Sequence, residues 1–176
     1  TEVILPRKTV LELARQLADS DEAVDITITG NQACFRFGTI ELITKLIDGK
    51  FPDYERVIPQ GNPKLVKVRR QVFLAALQRA AILTNEKFRG LRVVLESGSL
   101  KVISSNAEQE EAQEEIEIDY SHEPLELGFN VTYLLDVLNN VSVDEVEIHL
   151  HESMSSALFT IPGNDQFKAV VMPMRI

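Results

Sequence analysis

His149 and His151 stand two residues apart near the end of the sequence and are its first candidates for chemistry. On a strand they share a face and could hold a metal, with Glu147 or Glu152 as further ligands. Ser153, Ser155 and Ser156 lie close by, but no G-x-S-x-G surrounds them. The glutamates of "NAEQEEAQEEIEIDY" fall on a loop and strand edge, where they face solvent or a partner rather than move protons. Cys34 is the only cysteine and, flanked by Ala33 and Phe35, reads as a small core residue rather than a nucleophile. No glycine-rich phosphate loop is present. A surface histidine pair is therefore preferred over a metal site, and no catalytic residue, metal or cofactor is expected. A metal-dependent hydrolase using His149, His151 and nearby glutamates stays as an alternative that metal analysis would separate.

Binding then becomes the question, and composition bounds it. The 176 residues suffice for one or two domains, with 44% apolar and 26% charged residues as in ordinary globular proteins. Apolar runs are too short to span a membrane, and no charged-then-apolar leader opens the sequence. A start at Thr1 rather than Met leads to the expectation of a processed product or fragment. One cysteine excludes internal disulfides and fits a reducing cytoplasm. The net charge of −9 argues against gripping nucleic acid by bulk electrostatics. That average hides a segregation: Lys64 to Lys101 carries a net +7, and Val102 to Glu126 carries −9 with no base. Two surfaces with different partners, or two solvated faces that merely differ, both satisfy this pattern.

The C-terminal "KAVVMPMRI" continues a strand pattern until Pro173 stops it. Methionines there would offer a soft surface for varied apolar partners. Residue types alone equally allow Val170 and Met172 to be core, with a disordered end beyond.

The elements behind these residues repeat. Apolar positions at helical spacing fall in "TVLELARQLAD" (Val10, Leu13, Ala14, Leu17), "RQVFLAALQRAAIL" (Phe73, Ala76, Leu77, Ala80) and "VTYLLDVLNNV" (Val131, Leu134, Leu138, Val141). The helices begin near residues 9, 70 and 131, a period of 61. Thr9 and Glu12 suggest a capping box, and Asn130 a cap for the third helix. A short strand precedes each helix ("VIL", "LVKV", "LELG"), and three alternating strands follow it. The unit is β-α-β-β-β, present three times, which predicts an α+β fold with antiparallel sheets. One copy cannot close a core, whereas two packed copies can. Residues 61–176 are expected to hold a complete pair. Residues 1–60 are expected to hold a single copy plus the linker "DGKFPDYERVIPQGNPK".

"GKFPDYERVIP", "RAAILTNEKFRGLRV", "SSNAEQEEAQEEIEIDY", "LELGFNVTYLLDVLNNV" and "VVMPMRI" closely resemble the bacterial sliding clamps, the β subunits of DNA polymerase III. The match runs through essentially the whole chain in order. It implies the second half of a clamp middle domain plus a complete C-terminal domain, with sheets outside and helices on the inner face of a DNA-encircling ring. It also implies a non-catalytic processivity factor, cytoplasmic and nucleoid-associated, not on a membrane.

The resemblance gives residues roles. Partner proteins of the family (replicative polymerase, clamp loader, translesion polymerases, mismatch-repair proteins) insert a short apolar peptide into a pocket between middle and last domains. The matching positions are Pro52, Arg56, Val57, Asn130, Tyr133, Ser156, Val170, Val171, Met172, Pro173, Met174 and Arg175. The other pocket wall, a Gly-His-Arg-Leu-type segment, lies upstream of Thr1. Ile82 and Leu83, with Glu108, Glu110, Glu111 and Glu114, match the interface of a head-to-tail homodimer. That interface requires a first domain this chain lacks. Arg7, Lys8, Arg15 and Arg79 match positions near the lining that faces double-stranded DNA, where contacts are weak and sequence-independent. A peptide-binding adaptor with no DNA role is the remaining alternative, which DNA footprinting would test.

Overall fold

The computed structural model describes residues 2–18, 21–84 and 88–176. Asp19 of the expected first helix, and Glu86 and Lys87 of the basic block, lie outside the described residues. The chain forms two compact units, Thr1–Asp53 and Tyr54–Ile176, dividing inside the Pro- and Gly-bearing stretch.

The first unit has one helix, α1 (Arg7–Leu17), and a three-stranded antiparallel sheet of β1 (Asp25–Thr29), β2 (Gln32–Phe37) and β3 (Ile40–Lys45). Gly30 turns the first hairpin with φ +56°, a conformation that costs glycine little. Alternation along β2 buries Ala33, Phe35 and Phe37 against Leu13 and Leu17 of α1. The expected helix stripe holds at those two leucines only, since Val10 and Ala14 are exposed. Ile26 and Ile28 sit opposite Phe35 and Ala33, on the same sheet face, and are nonetheless 60% and 41% exposed. One helix covers β2 and leaves its neighbour bare.

Two local expectations fail here. The capping box does not form: α1 starts two residues earlier, at Arg7, with Pro6 in the cap position at φ −60° and its carbonyl accepting from the Thr9 amide at 2.9 Å. The Thr9 hydroxyl is buried 2.7 Å from that of Thr44, and Glu12 turns to Arg15 and Gln16 instead. "VIL" is no strand but a single bridge between Ile4 and Ile47.

The second unit explains that. Its first copy is β4 (Lys64–Arg69), α2 (Arg70–Ala80), β5 (Gly90–Glu96), β6 (Ser99–Ser105) and β7 (Glu111–Glu117). Its second copy is β8 (Leu125–Asn130), α3 (Val131–Asn139), β9 (Glu145–Leu150), β10 (Ala157–Ile161) and β11 (Asn164–Val171). The leading strands are exchanged: the sheets run β7-β6-β5-β8 and β11-β10-β9-β4, every pair antiparallel. Each strand passes straight into its helix, at Arg69–Arg70 and Asn130–Val131, and completes the other copy's sheet. Residues 1–53 of the given sequence hold one copy, in which "VIL" pairs only with Ile47 at the end of its own β-meander.

Both sheets and both helices of this unit share one core, which includes Val66, Phe73, Leu77, Leu91, Leu127, Leu134, Leu138 and Phe159. Asn130 caps α3 as expected, its side-chain oxygen accepting from the Thr132 amide at 2.9 Å. Arg70 Nε donates to the Leu138 carbonyl at 2.7 Å, tying the start of α2 to the end of α3.

Exchange makes the two copies interdependent. Leu138→Ala should cost about 2–5 kcal/mol, and urea transitions followed by probes in either sheet of residues 54–176 should coincide. Separate transitions would mean that the copies fold independently. Asn130→Ala should cost about 1 kcal/mol in the same assay through loss of the cap.

Candidate functional site

Strand β11 alternates. Phe167, Ala169 and Val171 face the core, whereas Lys168, Val170 and Met172 face outward. Val171, one of the positions matched to the family pocket, is 3% exposed and packs inward, supporting the surface rather than lining it. Val170 pairs with Leu158 in the adjacent strand and is half-buried. Beyond Val171 the ladder ends. Pro173 has no N–H to extend it, and the chain leaves its own sheet for the other one. The Met174 amide donates to the Gly128 carbonyl in β8 at 2.8 Å. The segment after Pro173 thus lies on the outward face of β8 and β5, over Gly128 and Gly90. Met172 stays 69% exposed, while Pro173 and Met174 are half-buried.

The other matched positions are divided between the two units. Asn130 follows Gly128 by two residues on the same face of β8, Tyr133 stands exposed on the first turn of α3, and Arg175 is exposed. The Ser156 carbonyl accepts from Asn62 Nδ2 at 3.0 Å, which holds the loop before β10. Arg56 and Val57 are exposed at the 3₁₀ turn that opens the second unit, and Pro52 is exposed in the first unit. Within the second unit, the terminal segment itself presents exposed and half-buried apolar side chains, Met172, Pro173 and Met174 among them. Such a surface suits non-covalent recognition.

The charged candidates divide differently. Arg7, Lys8 and Arg15 are exposed on α1, with Arg15 bound to Glu12 through Nε at 3.2 Å and Nη2 at 2.5 Å. Those bonds and the Gln16 amide lower the Glu12 carboxyl to about 2. Arg79 on α2 makes a two-pronged bond to Glu114 at 2.8 and 2.7 Å, which lowers the Glu114 carboxyl. Glu114 therefore lies on the helix-facing side of β7, apart from Glu108, Glu110 and Glu111, which are exposed. Asn106 organises the turn before β7, accepting from the amides of Glu108 and Glu110 at 3.0 Å each. Ile82 is 79% exposed on the 3₁₀ turn after α2, with Leu83 half-buried beside it.

His149 Nε2 lies 2.9 Å from the Thr160 hydroxyl and 4.0 Å from Glu147, whose other oxygen binds Lys67 at 3.0 Å. His151 lies past the end of β9, near Glu152. Among the described residues, no three His, Cys, Asp or Glu side chains converge to hold a metal. Cys34 corrects its sequence reading: strand alternation turns it away from the Ala33–Phe35 core, and its thiol donates to Glu41 at 3.2 Å. That bond pushes the thiol's pKa up, away from the reactive thiolate.

Sequence reasoning missed Gly128 and Gly90 altogether. A lone glycine within a strand pattern signals close backbone approach, and "LELGFN" carried that signal.

Together these features define a repeat-built α+β protein of paired antiparallel sheets, with an apolar terminal segment laid across one of them. Residues 55–175 match the family model for the C-terminal domain of the DNA polymerase III beta subunit, and residues 1–53 match the model for its central domain. A beta sliding clamp of Pseudomonas putida is 50% identical over 175 residues, covering 99% of this chain and 48% of that relative. The crystal structure of the DNA polymerase III subunit beta from Pseudomonas aeruginosa matches with a TM-score of 0.92 at 48% identity, over 100% of this chain and 48% of that one. A Pseudomonas aeruginosa sliding clamp bound to griselimycin matches at 0.87 and 49%, over 99% and 47%. The chain belongs to the bacterial β sliding-clamp family, the β subunits of DNA polymerase III. It has that family's fold and spans about half the length of the curated relatives it matches.

The Arg79–Glu114 pair yields a titration test. In Arg79→Ala, the Glu114 carboxyl should return upward towards its ordinary value of 4.5, as read by carboxyl-carbon NMR. The folded value lies below the unfolded one, so the pair's contribution is present above the ordinary carboxylate range. It is lost as pH falls through the folded value. Wild-type and variant stability curves should therefore converge in acid, and parallel curves would contradict the pairing.

Proposed function

We propose that the chain is the C-terminal half of a DNA sliding clamp, a non-catalytic processivity factor that binds partner proteins through short apolar peptides. On this reading residues 1–60 are the second half of the middle domain with its linker, and residues 61–176 the complete last domain. The observation that carries the reading is the C-terminal segment. Val170 and Met172 face outward from the end of β11, and Pro173 and Met174 carry the apolar segment on to β8, held by the Met174–Gly128 bond. A peptide with two or three apolar side chains could bury enough area there for useful affinity, at roughly 25 cal/mol per Å². Ordering costs leave such a complex moderate and exchangeable. That suits a hub used in turn by replicative and translesion polymerases, clamp loader and mismatch-repair proteins in the cytoplasm, at the nucleoid.

The same reading gives the charges roles. Ile82, Leu83 and the exposed glutamates beside the free edge of β7 would meet a second subunit head-to-tail and close a ring. Arg7, Lys8, Arg15 and Arg79 would touch duplex phosphates inside it. Encirclement would make strong contacts unnecessary, and Glu12 and Glu114 would temper two of those arginines. No described helix is long and apolar enough to cross a membrane.

Titration with a QLxLF-type pentapeptide tests the peptide role. The full-length subunit should bind reversibly, and this chain more weakly for want of the upstream wall. No binding by the full-length subunit would sink the reading. Charge reversal at Arg15 and Arg79 in that subunit should weaken loading on duplex DNA and flatten its salt dependence. Unchanged DNA association would remove those residues from the DNA face.

A further inference from the structure

Gly128 stands in β8 opposite Arg92, between the core residues Leu127 and Phe129. Its own outward face has no side chain, and the C-terminal segment fills that space. A Cβ placed there would lie 2.3 Å from the Met174 carbonyl oxygen and 2.8 and 2.9 Å from Ile176 Cγ1 and Cδ1. The Ile176 contacts involve the end of a flexible side chain, which can turn aside. The Met174 contact is backbone, fixed to β8 by the 2.8 Å bond from its own amide to the Gly128 carbonyl. Gly128 does not have the left-handed φ that favours glycine, so backbone conformation gives no reason for a glycine here. Close approach does.

Gly90 supplies the contrast. It lies beneath the same segment on the neighbouring strand β5. A Cβ there would meet Ile176 at 3.5 Å and Met174 Cε at 3.7 Å, ordinary van der Waals distances. On that side the segment stands off the sheet, leaving a groove of about 350 Å³ lined by Phe88, Arg92, Ile103 and Ile176. Of the two glycines beneath the segment, only Gly128 is approached too closely by the segment's backbone to carry a side chain.

From this geometry we infer that Gly128 is the positioning residue of the peptide surface: the terminal apolar segment can close onto β8 only where that strand has no side chain. The inference rests on the peptide-binding reading above and deepens it. Any side chain at position 128 lifts the Met174 backbone from β8, breaks its hydrogen bond and frees Met172 and Met174 to wander. Peptide affinity falls although no residue that touches the peptide has changed.

The test compares Gly128→Ala with Gly90→Ala in the full-length subunit, reading amide hydrogen exchange and QLxLF-peptide affinity. Gly128→Ala should speed exchange at Met174 and weaken the peptide, each by about tenfold or more, while Leu127 and Phe129 amides keep their protection. Gly90→Ala should change neither. Should Gly128→Ala fail to fold, Met174→Pro removes the donor without touching β8, and it should lose more affinity than Met174→Ala, which keeps it. Unchanged Met174 exchange in Gly128→Ala, or in the second pair equal losses, overturns the seat. Faster exchange with unchanged affinity in a subunit that binds peptide overturns its role in positioning. A wild-type subunit that ignores the peptide, with exchange responding as expected, instead overturns the peptide reading and leaves the seat as a structural contact.

Discussion

The exchange of β4 and β8 is the constraint on which the rest of the second unit depends. Backbone hydrogen bonds between β4 and β9, and between β5 and β8, bind each copy's leading strand into the other copy's sheet. Neither sheet is complete without both copies, and the helices between them bury their apolar faces in one shared core. The exchange also brings the outward face of β8 within reach of the chain leaving β11. The terminal segment needs only Met172 and Pro173 to pass from one sheet to the other. An apolar end that would fray in isolation acquires a backbone anchor.

Charge follows a different logic. Nine acids and no base fall between Val102 and Glu126, while two of the four candidate cations, Arg15 and Arg79, are already engaged. Exposed pairs of this kind add little to stability. Their effect here is to fix guanidinium positions and reduce the net field that α1 and α2 present. On the proposed DNA-facing role, such restraint would help sliding, because strong neutralisation of many phosphates makes dissociation slow and salt-dependent.

Much of this was legible in the sequence. Period-two and helical spacings located the strands and helices of all three copies except "VIL", and Asn130 announced its cap. The strand exchange was not legible, because the alternation of "LVKV" and "LELG" is the same whichever copy they join. Thr9 with Glu12 matched a capping box by type, but Thr9 is buried against Thr44, a tertiary partner no local pattern encodes. Cys34 faces away from the core, because strand alternation with its buried neighbours Ala33 and Phe35 requires it, and residue type alone does not show this. Of the candidate surface, the residue types of the tail suggested adhesion, but Val171 as support and Gly128 as seat depend on contacts between residues far apart in sequence.

The central claim is that the ordered C-terminal strip receives apolar peptides. Methionine-methyl NMR of the full-length subunit, with the Met172 and Met174 signals assigned by substitution, reads that strip directly. Addition of a QLxLF-type peptide should move both signals together and saturably. Binding that leaves both methyl signals where they were would place the peptide elsewhere and contradict the account.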